Sequence, residues 1–152
     1  MVHHNTSSRT QTCRGAGLIE VMVAVIVFSL GLIGILRLQL AAMRNAESAF
    51  ASNHAALLAY AMFDVLRADR AGATGEIYDL PKTCSTTSEK SGLAGSALND
   101  WLQSLKETLG NHDGVCGEVD CTGADCLVRV YWDDSRATEG SSAASIEVRS
   151  RL

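Results

Sequence analysis

Proline is nearly absent from this sequence. The single proline among 152 residues is Pro81, past the middle of the chain. Because proline breaks helices by removing a backbone N–H and crowding the preceding turn, a helix in the first half meets no such obstacle. Gly72 and Gly75 are the first convincing stop signals there. A single helix reaching to about residue 70 is therefore allowed.

The motifs of common catalytic sites are missing as well. There is no HExxH pair, no Ser-His-Asp order and no glycine-rich phosphate loop. Histidine occurs only at His3, His4, His54 and His112, and the adjacent pair near the N-terminus is not interpreted as a metal site. The acidic residues between 113 and 125 lack the alternating oxygen ligands of a calcium loop. We expect neither an enzyme nor a protein with a metal or another cofactor.

Positive charge is in deficit, with 13 lysines and arginines against 17 acidic residues and a formal net charge of −4. Binding to nucleic acid generally needs clustered lysine and arginine to displace counterions. Nucleic acid is therefore not an expected partner, although Arg149 and Arg151 could form a local basic patch.

What the sequence does contain is a long apolar run from Ala16 to Leu36, in which Glu20 is the only ionisable residue. As a helix this run is about 30 Å long, enough to cross a bilayer core. It is longer than the apolar region of an ordinary signal peptide, and no small-x-small cleavage site follows it. Because a carboxylate in such a segment is costly, Glu20 is a candidate functional residue.

Helical periodicity continues beyond the run. Apolar residues recur at three-to-four spacing in a stripe of Met43, Ala46, Phe50, Leu57, Leu58, Ala61, Met62 and Val65. This pattern predicts one helix over about 16–70, roughly 80 Å long. Its second half can pack on a C-terminal domain.

The rest of the chain predicts a small α+β domain. Residues 71–95 are predicted as an irregular loop with at most one strand, near 77–80. Ser96 can cap a helix that Gly110 closes, with Leu98, Trp101, Leu102, Leu105 and Leu109 toward a core. Period-two alternation then predicts strands around 115–119, 127–132 and 146–152 in an antiparallel sheet of three or four strands.

Cysteine spacing favours disulfides over a metal. Besides Cys13, the cysteines are Cys84, Cys116, Cys121 and Cys126. Their spacing does not match the paired CxxC knuckles of zinc sites, and an even number suits two disulfides in a small exported domain. Three pairings are possible. If the strands around 115–119 and 127–132 form a hairpin, Cys121 can reach Cys126, which leaves Cys84 with Cys116.

The start of the apolar run resembles the type III signal sequence of type IV prepilins and type II secretion pseudopilins. The first residues are basic, with Arg9, Arg14 and no acidic residue, and Gly15 stands at the position of cleavage. The resemblance implies cleavage by prepilin peptidase between Gly15 and Ala16 and N-methylation of Ala16. It also implies a role in assembly for Glu20, the fifth residue counted from Ala16. The family most often has phenylalanine where this chain has Ala16.

Further short matches make the chain most like the PilV type of minor pilin. They include Gly31-Leu32-Ile33-Gly34, Arg67-Ala68-Asp69 and the Val128-x-Val130-x-Trp132 strand. The resemblance implies the pilin-like lollipop fold, in which a long helix packs on a small antiparallel β-sheet domain with one extra helix. It divides the chain into a cleaved leader (1–15), a transmembrane and polymerisation segment (16–36), an amphipathic segment (37–70) and a periplasmic globular domain (71–152).

The implied function is that of a minor pilin, a structural subunit that helps to initiate or modify type IV pilus assembly at the fibre tip. Its implied partners are prepilin peptidase, other minor pilins, the major pilin, inner-membrane lipid and a tip adhesin. The chain would cross the bacterial inner membrane once, with its C-terminal domain in the periplasm, and later join the fibre at the cell surface. The alternatives are a minor pseudopilin of a type II secretion system and, in another class, a fibre-borne adhesin or DNA-binding module.

Overall fold

The structure, a computed structural model, describes residues 17–152. Gly15, Ala16 and Cys13 lie outside the described residues, so the cleavage and methylation expected at the first two stay predictions. The described part of the chain divides into two units, residues 17–39 and 40–152, which are described separately below. A single helix, α1, passes through the boundary between them.

The elements confirm the predicted α+β class. Residues 17–152 contain two long helices, one short helix and four strands. Their order is α1 Leu18–Ala68, α2 Arg70–Thr74, β1 Leu80–Thr83, α3 Gly92–Leu109, β2 Cys116–Thr122, β3 Asp125–Trp132 and β4 Ala144–Arg151. The strands form one antiparallel sheet in the order β1-β2-β3-β4. In the unit of residues 40–152, α1 and α3 share one hydrophobic core with this sheet.

Helix α1 ends where Asp69 begins a new local structure. The Asp69 carboxylate accepts a hydrogen bond from the Gly72 N–H at 3.1 Å and another from the Tyr78 hydroxyl at 3.1 Å. The first of these caps α2, and the second fixes a tyrosine that is buried in the core. Asp69 therefore stabilises the connection between α1 and the first strand of the sheet through both of its carboxylate oxygens.

The buried face of α1 differs from the predicted stripe. Of the stripe, Met62 is buried and Leu58 and Val65 are partly buried, but Met43, Phe50 and Leu57 are exposed. The residues of α1 that enter the core are Ala55, Ala59, Met62, Phe63 and Leu66. The helix that the stripe predicted is present, but large apolar side chains do not mark the side that enters the core. Alanines on that side allow the close approach by which the Trp101 indole N–H reaches the Leu58 carbonyl at 2.9 Å.

Helix α3 starts one turn earlier than predicted, at Gly92 rather than at Ser96. Glycine composition suggested a loop there. Gly95 is in fact buried, and a Cβ at this position would collide with the Lys90 carbonyl. Leu98, Trp101, Leu102 and Leu105 are buried as predicted, and Leu109 is partly buried against the core. The predicted C-cap is confirmed at Gly110, which has a φ of 115°.

The β2–β3 hairpin sets the register of the sheet. Thr122 pairs with Asp125 across a two-residue turn, and Cys121 with Cys126 next to it. Gly123 has a φ of 62°, a conformation suited to glycine at the first position of such a turn. Alternate β3 side chains, from Cys126 to Trp132, point into the core. The strand expected near 77–80 lies instead at Leu80–Thr83 and includes Pro81.

Helix α3 packs closely on β2 at Gly117. A Cβ at Gly117 would lie 2.5 Å and 2.7 Å from two ring carbons of Trp101 and 3.0 Å from Leu105. We expect Gly117→Ala to lower the free energy of unfolding by about 1–3 kcal/mol, the usual cost of overpacking. Urea unfolding of the full chain in detergent micelles, followed by tryptophan fluorescence, measures this. Thr122→Ala on the exposed side of β2 is the matched control, and equal stability of the two variants would contradict the prediction.

Candidate functional site

The first candidate surface is the N-terminal part of α1. Side chains from residue 18 to 39 are exposed throughout. The helix contains a window with a mean hydropathy of 2.6 and no buried residue. By length and composition it can cross a membrane, so the chain carries a segment compatible with a single-pass membrane anchor.

Glu20 lies in the first turn of this helix. Its backbone N–H donates to the Gly17 carbonyl at 2.9 Å, and its side chain is exposed, with no hydrogen bond or ion pair to another described residue. A carboxylate at a helix N-terminus is favoured by the helix dipole. Within residues 18–36 it is the only charged side chain, so the first turn presents an isolated negative charge beside apolar surface.

The second candidate surface is the uncovered side of α1 in the unit of residues 40–152. Met43, Phe50 and Leu57 follow each other at heptad spacing, and Tyr60 lies one turn beyond. Their exposed fractions are 64%, 58%, 62% and 54%. Because heptad spacing keeps residues on one side of a helix, these four form an exposed apolar stripe, opposite the alanine-rich buried side. We call it the α1 stripe.

The two histidines within residues 17–152 lie apart. His54 lies beside the α1 stripe, with its ring 4.1 Å from that of Phe50, while His112 lies in the loop after α3. Within residues 17–152, no three His, Cys, Asp or Glu side chains are grouped so as to hold a metal ion. The acidic residues of the 113–125 segment are separated too: Glu118 contacts Arg129, and Asp120 and Asp125 occupy neighbouring strands.

Both cysteine pairs form disulfides, Cys84–Cys116 and Cys121–Cys126. This is the pairing that the hairpin argument favoured. The second bridge joins directly opposed residues of β2 and β3, and both its cysteines are buried. The first bridge links the segment after β1 to the start of β2, across a sequence separation of 32. The two bridges therefore fasten β1 to β2 and β2 to β3.

A polar network covers the outer face of the sheet, centred on Arg129. Its guanidinium donates to Glu118 at 3.1 Å and also to Glu147. Hydrogen bonds from Arg129 and then Arg149 hold the pKa of the Glu147 carboxyl below its usual value. The Tyr131 hydroxyl donates to Glu118 at 2.5 Å, and the Lys82 ammonium lies 4.0 Å from the centre of the Tyr131 ring. Burial first, then the bond to Glu118, raises the pKa of Tyr131.

This network is not apparent from the sequence alone. Glu118, Arg129 and Glu147 are cross-strand neighbours, so only the register of three strands brings them together. The alternation of charged and apolar residues predicts that each of the three lies on the outer face. It does not predict that they are cross-strand neighbours. The network ties three strands together, and its charges neutralise one another.

The chain as a whole matches no known protein family, no curated protein sequence and no solved structure at a significant level.

Proposed function

We propose that this chain is a minor pilin of a type IV pilus. In this role it is a structural subunit, held first in the inner membrane by the N-terminal part of α1 and later packed through the same helix against neighbouring subunits. With other minor pilins and the major pilin it helps to initiate or modify the fibre.

The observation that carries this proposal is the α1 stripe. A bilayer core accommodates about 20 helical residues, which the apolar segment after Leu18 already supplies. Met43, Phe50, Leu57 and Tyr60 lie further along the helix and are exposed. A simple anchor has no need of an apolar face beyond the membrane. An anchor that also packs against other helices does need one.

Glu20 supports the same role. After cleavage between Gly15 and Ala16, the new amino terminus of Ala16 would carry a positive charge. A carboxylate–ammonium pair between neighbouring subunits is far stronger in a low-dielectric surrounding than in water. It also supplies register, because an apolar helix could otherwise slide along its neighbours. The two disulfides support a location of the globular unit outside the cytoplasm, where such bonds persist.

Processing provides the direct test. We expect the protein from the membrane fraction to begin at Ala16 with one methyl group on its amino terminus, as measured by mass spectrometry. We expect Gly15→Val to retain the leader and Gly17→Ala, a matched control at the second residue after the cleaved bond, to be processed normally. The protein should also be found in fibres sheared from the cells. An uncleaved amino terminus in the wild-type chain would contradict the proposal.

The fibre analysis, together with a gene deletion, distinguishes a type IV pilus from a type II secretion system. A minor pseudopilin of a type II secretion system shares the processed helix. In that case the chain would be cleaved and methylated but absent from sheared fibres, and its deletion would block protein secretion while leaving pili intact.

A further inference from the structure

The two edges of the sheet are built differently. Strand β1 has four residues, contains Pro81, and its register with β2 shifts between Leu80 and Thr83. Strand β4 has eight residues, and all of them pair in one unbroken register with β3. It contains neither proline nor glycine. Proline and irregular pairing are common ways of preventing an edge strand from binding another strand, so the β1 edge is blocked and the β4 edge is open.

The backbone groups at the open edge can be identified. The Leu152 N–H donates to the Ala124 carbonyl at 2.8 Å, on the side where β3 lies. In an antiparallel strand, consecutive residues direct their backbone groups to opposite sides. Residues 146, 148 and 150 therefore bond to β3, and Ser145, Glu147, Arg149 and Arg151 direct their N–H and C=O groups away from it. No described residue forms a ladder on that side.

The side chains at this edge define what could bind there. Ile146 and Val148 face the core but are only partly buried, so an apolar row is incompletely covered. On the outer face, Glu147 is already paired with Arg129 and Arg149. Arg149 is 73% exposed, and Arg151 forms no ion pair with any described residue. Asp125 is the cross-strand neighbour of Arg151 on the β3 side. The charge that β4 itself presents at its free edge comes from Arg149 and Arg151, so it is positive and lies toward the end of the strand.

We propose that the free edge of β4 binds an extended, acidic strand of a partner protein, which adds a fifth strand to the sheet. The partner strand would be antiparallel, with carboxylates opposite Arg149 and Arg151 and aliphatic side chains beside Ile146 and Val148. Strand addition gains affinity from main-chain hydrogen bonds and specificity from alternate side chains. The proposal concerns the globular unit alone and does not depend on the proposed role in a fibre.

A second copy of this chain suits the edge less well. Its β1 edge is blocked by Pro81. Its β4 edge carries the same exposed arginines, and the one carboxylate of that strand, Glu147, is already paired with Arg129 and Arg149.

A synthetic peptide tests the proposal. The sequence Glu-Val-Glu-Ile-Thr-Val-Thr places its glutamates opposite Arg151 and Arg149 and its aliphatic residues on the inner side. We measure residue-resolved amide hydrogen exchange of the full chain in detergent micelles with millimolar peptide. The amides of residues 145, 147, 149 and 151 should exchange at least about tenfold more slowly, as expected for amides in a paired ladder. Those of 146, 148 and 150 are already protected and should not change.

Matched probes separate charge from backbone pairing. A peptide with both glutamates replaced by lysine should bind about tenfold more weakly, because two opposed ion pairs become two like-charge pairs. Arg149→Ala together with Arg151→Ala should remove this preference for the acidic peptide. Arg149→Pro removes a backbone N–H that faces away from β3, so it should leave the fold intact and abolish binding. Val148→Pro is the control that disrupts pairing with β3.

Three results would overturn the proposal. The first is unchanged exchange at residues 145, 147, 149 and 151 with the acidic peptide present. The second is equal binding of the acidic and lysine peptides by the wild-type chain. The third is a dimer of the full chain that Arg149→Pro dissociates, which would make a second copy the occupant of the edge.

Discussion

Replacing Glu20 with alanine is expected to leave membrane insertion intact and to reduce incorporation into fibres at least about tenfold. The substitution makes the anchor more apolar, so insertion loses nothing. Incorporation loses an ion pair that, at a separation of about 4 Å and an effective dielectric constant near 20, is worth about 4 kcal/mol before desolvation. Even if desolvation cancels more than half of this energy, the remainder corresponds to about a tenfold change in the equilibrium.

The measurement compares the variant in two fractions of the same cells. Quantitative immunoblots of the membrane fraction report insertion, and blots of sheared fibres report incorporation. Glu47→Ala is the matched control, because Glu47 is an exposed glutamate of the same helix beyond the apolar segment and should enter fibres at the wild-type level. Finding Glu20→Ala in fibres at the wild-type level would falsify the role assigned to this carboxylate.

The long helix could be predicted from the sequence because its causes are local. Apolar composition, the absence of proline before Pro81 and the glycines after residue 70 all act within a few residues of the position that they affect. Which side of α1 enters the core depends on tertiary packing and not on the local sequence. Met43 and Phe50 have the periodicity of core residues but are exposed. The sheet and α3 instead share a core with the side of α1 that contains Ala55 and Ala59. A stripe of large side chains therefore indicates an apolar surface without stating what covers it.

The candidate sites also differ in whether the local sequence or the tertiary structure determines them. Glu20 could be found because a lone carboxylate in an apolar run is unusual in any fold. The Arg129 network and the open edge of β4 depend on strand order and register, which period-two alternation leaves undetermined. The disulfides are an intermediate case. The short β2–β3 turn places Cys121 opposite Cys126, and the other pair then follows by elimination.

Removing the Cys84–Cys116 disulfide is expected to cost more stability than removing the Cys121–Cys126 disulfide. A cross-link stabilises mainly by restricting the unfolded chain, and the effect grows with the length of the loop that it closes. The first bridge spans a sequence separation of 32 and the second a separation of 5. The chain-entropy relation then predicts losses of about 3–4 kcal/mol and about 2 kcal/mol in the free energy of unfolding.

Valine at both positions of each pair makes the comparison fair, since it keeps an apolar side chain of similar size and suits strands. Unfolding by urea can be followed for the full chain in micelles, because its tryptophans, Trp101 and Trp132, both lie in the core of the globular unit. The order of the two stability losses distinguishes two explanations of how the disulfides stabilise the fold. If Cys121→Val with Cys126→Val proves the more damaging pair, the bridges stabilise through buried packing at the hairpin. If the Cys84–Cys116 pair proves the more damaging, the bridges act by confining the unfolded chain, and the segment that contains α3 is the longer one confined.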